Sequence, residues 1–280
     1  MLLSMDSTRL RWRFGVNKAL HLLKDAGFDA FDFSFGNPQH IAFPNAQELA
    51  ALVAQVNGLM QETGLVCHQT HAPYKLLENE EYTLDNPHYK EIVDAIQASG
   101  KIGAKYVVVH PFRHDDGTDE VEDIIEYYRT LLPYAKESGV KIATENLFRA
   151  AQNPEKMNRL LRGIEDDDFV LCFDTGHSAV VQIPPEEFLR DVDFRYLKAL
   201  HLHDNDGKRD LHQLPYTGTL KWDSILEALA KGGYAGNMNM EVPLYIAKLP
   251  DSAIPEALAL AAKVGRDMME KFNNYKETEQ

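Results

Sequence analysis

Short runs rich in β-branched and aromatic residues alternate along the chain with longer runs whose apolar positions recur at helical spacing. The short runs predict strands at 29–35, 65–70, 106–110, 141–145, 169–174, 199–203 and 237–241, with a weaker eighth at 2–6. The longer runs carry helix punctuation. Asn45 precedes Ala46, Gln47 and Glu48 in a capping-box-like start, followed by Leu49, Leu52, Val53 and Val56 on one face. Pro87 opens a helix with Ile92, Val93 and Ile96 that stops near Gly100 and Gly103. Thr118 or Asp119 opens one with Val121, Ile124, Ile125 and Tyr128, ending by Gly139. Asp223 opens another with Ile225, Leu226 and Leu229, stopped by Gly232 and Gly233. Pro255 opens the last, running towards Phe272 and leaving a polar tail, 273–280, expected to fray. Strand and helix in alternation mean βα units around a parallel sheet. Seven or eight such units in one chain predict a single (β/α)8 barrel, one domain spanning residues 1–280. A doubly wound open sheet is the rival. It usually shows a Gly-rich loop after its first strand, and this chain has none there.

The central strands end in residues that bind metals or move protons: His71, His110, Glu145, Asp174, the run His201 to Asp204, and Glu241. Taken singly, each is as readily a satisfied structural group as a functional one. Together they matter more, because the C-terminal strand ends of a barrel converge on one rim. Glu145, Asp174 and Glu241 facing one another there would repel without a cation, since buried charges need partners. The mixture of imidazole and carboxylate suits Zn, Mn, Fe or Co better than calcium. Ligand-spaced pairs recur in Asp174 and His177, in His201 and His203, and in Asp210 and His212.

Composition narrows the options. The 280 residues are 44% hydrophobic and 26% charged, within the globular range. The formal charge is −14, a poor start for a phosphate backbone, so a nucleic-acid partner is disfavoured. Two cysteines, Cys67 and Cys172, sit in strand-like runs and are expected to be buried free thiols. The start, Met1 to Asp6, has no basic cluster or long apolar stretch, and no run is long enough to span a bilayer. A cytoplasmic protein without a membrane partner is the expectation.

The segments His71-Ala72-Pro73-Tyr74, Val109-His110-Pro111, Thr144-Glu145-Asn146, Asp174-Thr175-Gly176-His177, His201-Leu202-His203-Asp204, Asp210-Leu211-His212 and Met240-Glu241-Val242 resemble the xylose isomerase-like TIM-barrel superfamily. That superfamily holds sugar isomerases and epimerases, inosose dehydratases and isomerases, and the endonuclease IV type of DNA-repair enzyme. The resemblance covers about residues 15–270. It implies one divalent metal held by Glu145, Asp174, His201 and Glu241, the spacing to Asp204 favouring His201 over His203. It also implies that Glu145 and Glu241 are catalytic, moving a proton through a metal-stabilised enediolate of a sugar, sugar phosphate or inositol derivative.

The endonuclease IV branch adds ligands for a three-zinc cluster. These map onto His71, His110, His177, Asp210 and His212, so up to three metals and a phosphodiesterase or AP endonuclease remain as the alternative. In sugar enzymes the same side chains can bind substrate hydroxyls instead. The chain departs from the ketose 3-epimerase pattern, with Ala151 where that pattern has Glu and Gly207 where it has Arg. Another polyol, keto sugar or sugar phosphate therefore fits better than a free ketose. Lys75, Arg113, Lys208 and Arg209 are the cations available to a substrate phosphate, with solvated surface charge as their alternative reading. A small-molecule partner and, by resemblance, a homodimer are the remaining expectations.

Overall fold

The computed structural model describes residues 1–36, 41–74, 82–112, 120–147 and 151–277. Eight strands run β1 (Leu3–Asp6), β2 (Ala30–Ser34), β3 (Val66–His71), β4 (Tyr106–Val108), β5 (Lys141–Glu145), β6 (Phe169–Asp174), β7 (Leu197–His201) and β8 (Met238–Met240). The helices are α1 (Thr8–Asp25), α2 (Ala46–Thr63), α3 (Pro87–Ile102), α4 (Val121–Ser138), α5 (Pro154–Ile164), α6 (Thr175–Val180), α7 (Pro185–Asp191), α8 (Trp222–Lys231), α9 (Pro243–Ala247) and α10 (Ile254–Glu277). All ladder pairings are parallel, in the order β7-β6-β5-β4-β3-β2-β1-β8. A bridge between Leu202 and Met240 brings the two ends together, with the Leu202 amide donating to Asn239 O at 2.9 Å and the Glu241 amide to Leu202 O at 3.0 Å. The architecture is a single (β/α)8 barrel, as the alternation predicts.

Local chemistry explains the elements. The Asn45 side chain accepts from the amides of Gln47 and Glu48 while Glu48 reaches back to the Asn45 amide, completing the capping box of α2. Asn86 caps α3 ahead of Pro87. α1 was not predicted as an element: its apolar stripe is interrupted at Gly15, which takes φ +79° and kinks the helix. α10 runs to Glu277 rather than fraying from residue 273, because Phe272 is buried and Tyr275 packs on the core. β7 begins and ends two residues earlier than predicted, since beyond His201 pairing survives only as the Leu202 bridge. Tyr106, Val108, Ala143, Val170, Cys172 and Ala199 form a small inner core, while a much larger one fills the space between sheet and helices. Both cysteines are buried and free.

Two register shifts interrupt the barrel. On β3, Phe31 pairs with Cys67 and Asp32 with Gln69, so His68 is an extra residue. On β7, Leu171 pairs with Leu197 and Cys172 with Ala199, so Lys198 is extra. Such bulges re-aim side chains. Among the described residues, no helix is long and apolar enough to cross a membrane.

Candidate metal centre

Parallel strands of similar length bring their C-terminal ends to one rim. Glu145 closes β5, Asp174 closes β6, His201 closes β7 and Glu241 follows β8. One donor atom from each of these four lies within 4.8 Å of all the others. His201 Nδ1 stands among the three carboxylates, 2.8 Å from Glu145 Oε1, 3.4 Å from Glu241 Oε2 and 3.9 Å from Asp174 Oδ2. Asp174 and His201 are fully buried and Glu145 nearly so, whereas the Glu241 side chain keeps 13% exposure.

The surroundings hold these groups in place. Asn146 donates from Nδ2 to Asp174 O at 2.9 Å, and its Oδ1 accepts from the Asp174 amide at 2.6 Å, lacing the ends of β5 and β6 together. Asp174 Oδ1 also accepts from the His177 amide at 2.7 Å and so caps α6. Behind His201, Asp32 on β2 is fully buried. Asp32 accepts from Gln69 Nε2 at 2.7 Å, meets His71 Nδ1 at 3.0 Å, and lies 3.6 Å from His201 Nε2. Asp32 and Gln69 were not predicted. Their only signals are a single charge between Phe31 and Phe33 and an amide two residues ahead of His71.

The other predicted positions surround the four. His110 Nε2 lies 2.8 Å from Glu145 Oε2, and His177 Nδ1 3.3 Å from Glu145 Oε1. Asp210 bridges outwards, with Oδ2 at 2.8 Å from His212 Nε2 and 3.6 Å from His177 Nε2. His71 stacks on His201 with ring centroids 4.5 Å apart. His203, disfavoured as a ligand by spacing, donates or accepts at 3.0 Å from Asp174 Oδ2 and stacks on His212 at 4.1 Å and 4°. That ring fits because residue 176 is glycine: a Cβ there would stand 1.9 Å from His203 Cε1. Three further groups also have metal-ligand spacing: Asp32, His71 and His201; His71, His110 and Glu145; and His203, His212 and Glu241.

Charge is mutually answered throughout. Burial works against ionised Glu145, yet His177, His201 and His110 hold its carboxyl well below the usual range. Burial likewise opposes Asp174, but His177 and His203 bring it down. His201 and His177 are pushed well above the ordinary imidazole value, against burial. Cys172, Glu241 and Glu145 act on His201, and Asp174, Glu145 and Asp210 on His177. His212 rises to about 9, again against burial, through Glu241 and Asp210. A metal cation could take over the work these protons do. The fit is supported by orphaned atoms: the buried Glu241 Oε2 and His212 Nδ1, 3.8 Å apart, have no hydrogen-bond partner.

A cleft of about 500 Å³ opens above this cluster. Its walls carry Glu241, His71, His110, Asp210 and His212, while Glu145, Asp174 and His201 lie beneath. Trp12, Phe43 and Tyr74 supply an apolar side. Asp6, also unpredicted, faces the cleft from the end of β1, its Oδ2 accepting from Thr8 Oγ1 at 2.6 Å. Burial, then Asp32 and Glu241, raise it to about 6. Of the cations expected to meet a substrate phosphate, Lys75 and Arg113 lie outside the described residues. Arg209 is paired with Asp206 at 2.8 Å with its side chain 72% exposed, and Lys208 is exposed. Neither lines the cleft. Among the described residues, Arg9, stacked on Trp12 at 4.9 Å, is the Lys or Arg that lines the cleft.

Residues 20–268 match the model of a family described as the xylose isomerase-like TIM barrel. The chain belongs to that family. Within the xylose isomerase-like proteins it is 25% identical over 268 residues to the uncharacterized protein y4fM of Sinorhizobium fredii, covering 85% of this chain and 84% of that protein. A probable endonuclease 4 of Staphylococcus carnosus is 27% identical over 191 residues, 59% of this chain and 62% of that protein. Among solved structures, a D-tagatose 3-epimerase-like protein superposes with TM-score 0.77 at 20% identity over 98% of this chain and 99% of that one. The IolI protein with a bound zinc atom gives 0.76 at 18% over 97% and 99%. At these identities the two structures establish the barrel, and the rim chemistry rests on this chain's own residues.

Proposed function

We propose that this xylose isomerase-like protein is a divalent-metal-dependent isomerase or epimerase of a small sugar, sugar phosphate or inositol derivative. The observation that carries the reading is the convergence of Glu145, Asp174, His201 and Glu241 within 4.8 Å beneath a sugar-sized cleft. When bound, a Zn, Mn, Fe or Co ion would polarise a substrate oxygen and stabilise the negative charge that develops on it. Asp174 and His201 would hold it together with the two glutamates. Asp32 and Gln69, on the Nε2 side of His201, fix which ring nitrogen faces the carboxylates. Of the four clustered donors, Glu241 is the one that lines the cleft, and it takes or returns the proton. Glu145, held ionised between His110, His177 and His201, is the second member of the pair and sits at the floor. His71, His110 and His212 on the walls bind substrate hydroxyls.

The additional ligand groups and the similarity to a probable endonuclease 4 favour one second reading, a multi-zinc phosphodiesterase of the endonuclease IV type. Elemental analysis of protein purified without added metal separates the two. About one Mn, Fe, Co or Zn per chain is expected, and two or three zinc ions would move the assignment to phosphodiester and abasic-DNA substrates. On a panel of keto sugars and sugar phosphates in D2O, the product should carry deuterium at the inverted or reduced carbon. Glu241→Gln should lower turnover at least about a thousandfold with the far-UV spectrum unchanged. Turnover within tenfold of the parent would remove Glu241 from the proton path.

A further inference from the structure

The opposite mouth of the barrel, at the N-terminal strand ends, holds a second cavity of about 820 Å³. Its charged lining is Lys105, Lys141, Arg195 and Lys198 against Asp166 and Asp167, a cationic excess in a chain of formal charge −14. Several of these charges are already engaged. Asp166 binds Lys136 at 2.5 Å, Lys141 lies 3.4 Å from Asp168, and Arg195 meets Asp193 at 2.7 Å. Lys105 and Lys198 have no carboxylate partner within ion-pair distance among the described residues.

His68 shares this cavity. It is 8% exposed, its ring stands edge-on to Tyr106 at 5.4 Å, and its Nε2 has no hydrogen-bond partner. A buried polar atom left alone in this way calls for a partner outside the protein's own groups. The two bulges place the key side chains. His68 is the extra residue of β3 and Lys198 the extra residue of β7, and both line the cavity. Each is a position where an uninterrupted register would have no side chain of its own.

We infer that this mouth is a second ligand site, taking a small phosphate-type anion between Lys105, Lys198 and the His68 ring. Lysine ammonium groups bind phosphate as point charges, and a neutral imidazole donates one further hydrogen bond. The volume suits a phosphorylated small molecule rather than a bare ion. Burial and Lys105 push the unliganded His68 down to about 4, against the pull of Asp32, so the ring is neutral and free to donate. The inference stands whatever reaction the rim performs.

The test is an NMR titration of the full-length, metal-loaded protein with inorganic phosphate, following the His68 ring protons assigned through His68→Gln. A saturable shift with a dissociation constant of about 1 mM or tighter is expected. Lys198→Met should weaken it about tenfold or more, and removing the rim metal with EDTA should leave it unchanged. No saturation by about 10 mM phosphate overturns the inference. So does an equal shift with chloride at matched ionic strength, undiminished binding in Lys198→Met, or loss of binding with the rim metal.

Discussion

The two mouths of the barrel are built from the same strands and solve opposite electrostatic problems. At the C-terminal rim Glu145, Asp174, Asp210 and Glu241 each have an imidazole within reach, and at least three imidazoles sit above their ordinary value because of it. At the N-terminal mouth the cations outnumber the acids and two lysines stand without carboxylates among the described residues. The difference shows what mutual satisfaction does. An interlocked set of buried charges is rigid and costly to disturb, whereas unpaired surface-facing cations are cheap to remove and remain available to a ligand.

Three measurements press on that contrast. The largest effect belongs to Gly176→Ala. A Cβ 1.9 Å from the His203 ring must displace it from Asp174 and from its stack on His212, with a loss of about 4 kcal/mol in urea unfolding. A loss below about 1 kcal/mol would show that the rim is not tightly interlocked.

Next comes pH, with the metal removed by EDTA. His212 titrates near 6.5 unfolded and is pushed up to about 9 folded, so the native state keeps its proton longer. Its stabilisation is complete below pH 6.5 and is lost as the pH rises through 9, a fall on the order of 3 kcal/mol. Thermal melts across that window should slope downwards in the parent and less steeply in His212→Asn, the remaining slope belonging to His177 and His201. A flat parent would refute the pairing. The smallest effect is Lys198→Met at the other mouth, which should change unfolding free energy by no more than about 0.5 kcal/mol. A loss of several times that would mean the N-terminal cations are structural after all.

Much of the rim is legible in the sequence because His71, Glu145, Asp174 and His201 each close a strand. A strand end announces itself where an apolar run meets a polar residue, as at Val109 and His110 or Phe173 and Asp174. Asp32 was not, since one carboxylate between two phenylalanines gives no hint of the Gln69, His71 and Asn239 side chains that reach it from other strands. Asp6 is hidden for a similar reason: Asp32 and Glu241, the carboxylates that raise it, are distant in sequence. The bulges leave no local mark either, because register is set by pairing between strands and not by the residues of one strand. Helices are legible where a cap stands, as at Asn45, and hidden where the stripe breaks, as at Gly15. Arg209 illustrates the converse. Its charge was visible, but Asp206, three residues away, claims it.

Asp174 does two things at once: it caps α6 through the His177 amide and offers its carboxylate to the cluster below. Occupancy of the centre and fraying of that helix therefore share one free energy. An ion that draws on Asp174 alters the strength of the cap, and a change that loosens the cap alters affinity for the ion by the same amount. Exchange of the His177 amide proton would thus report occupancy of the centre without any substrate in hand.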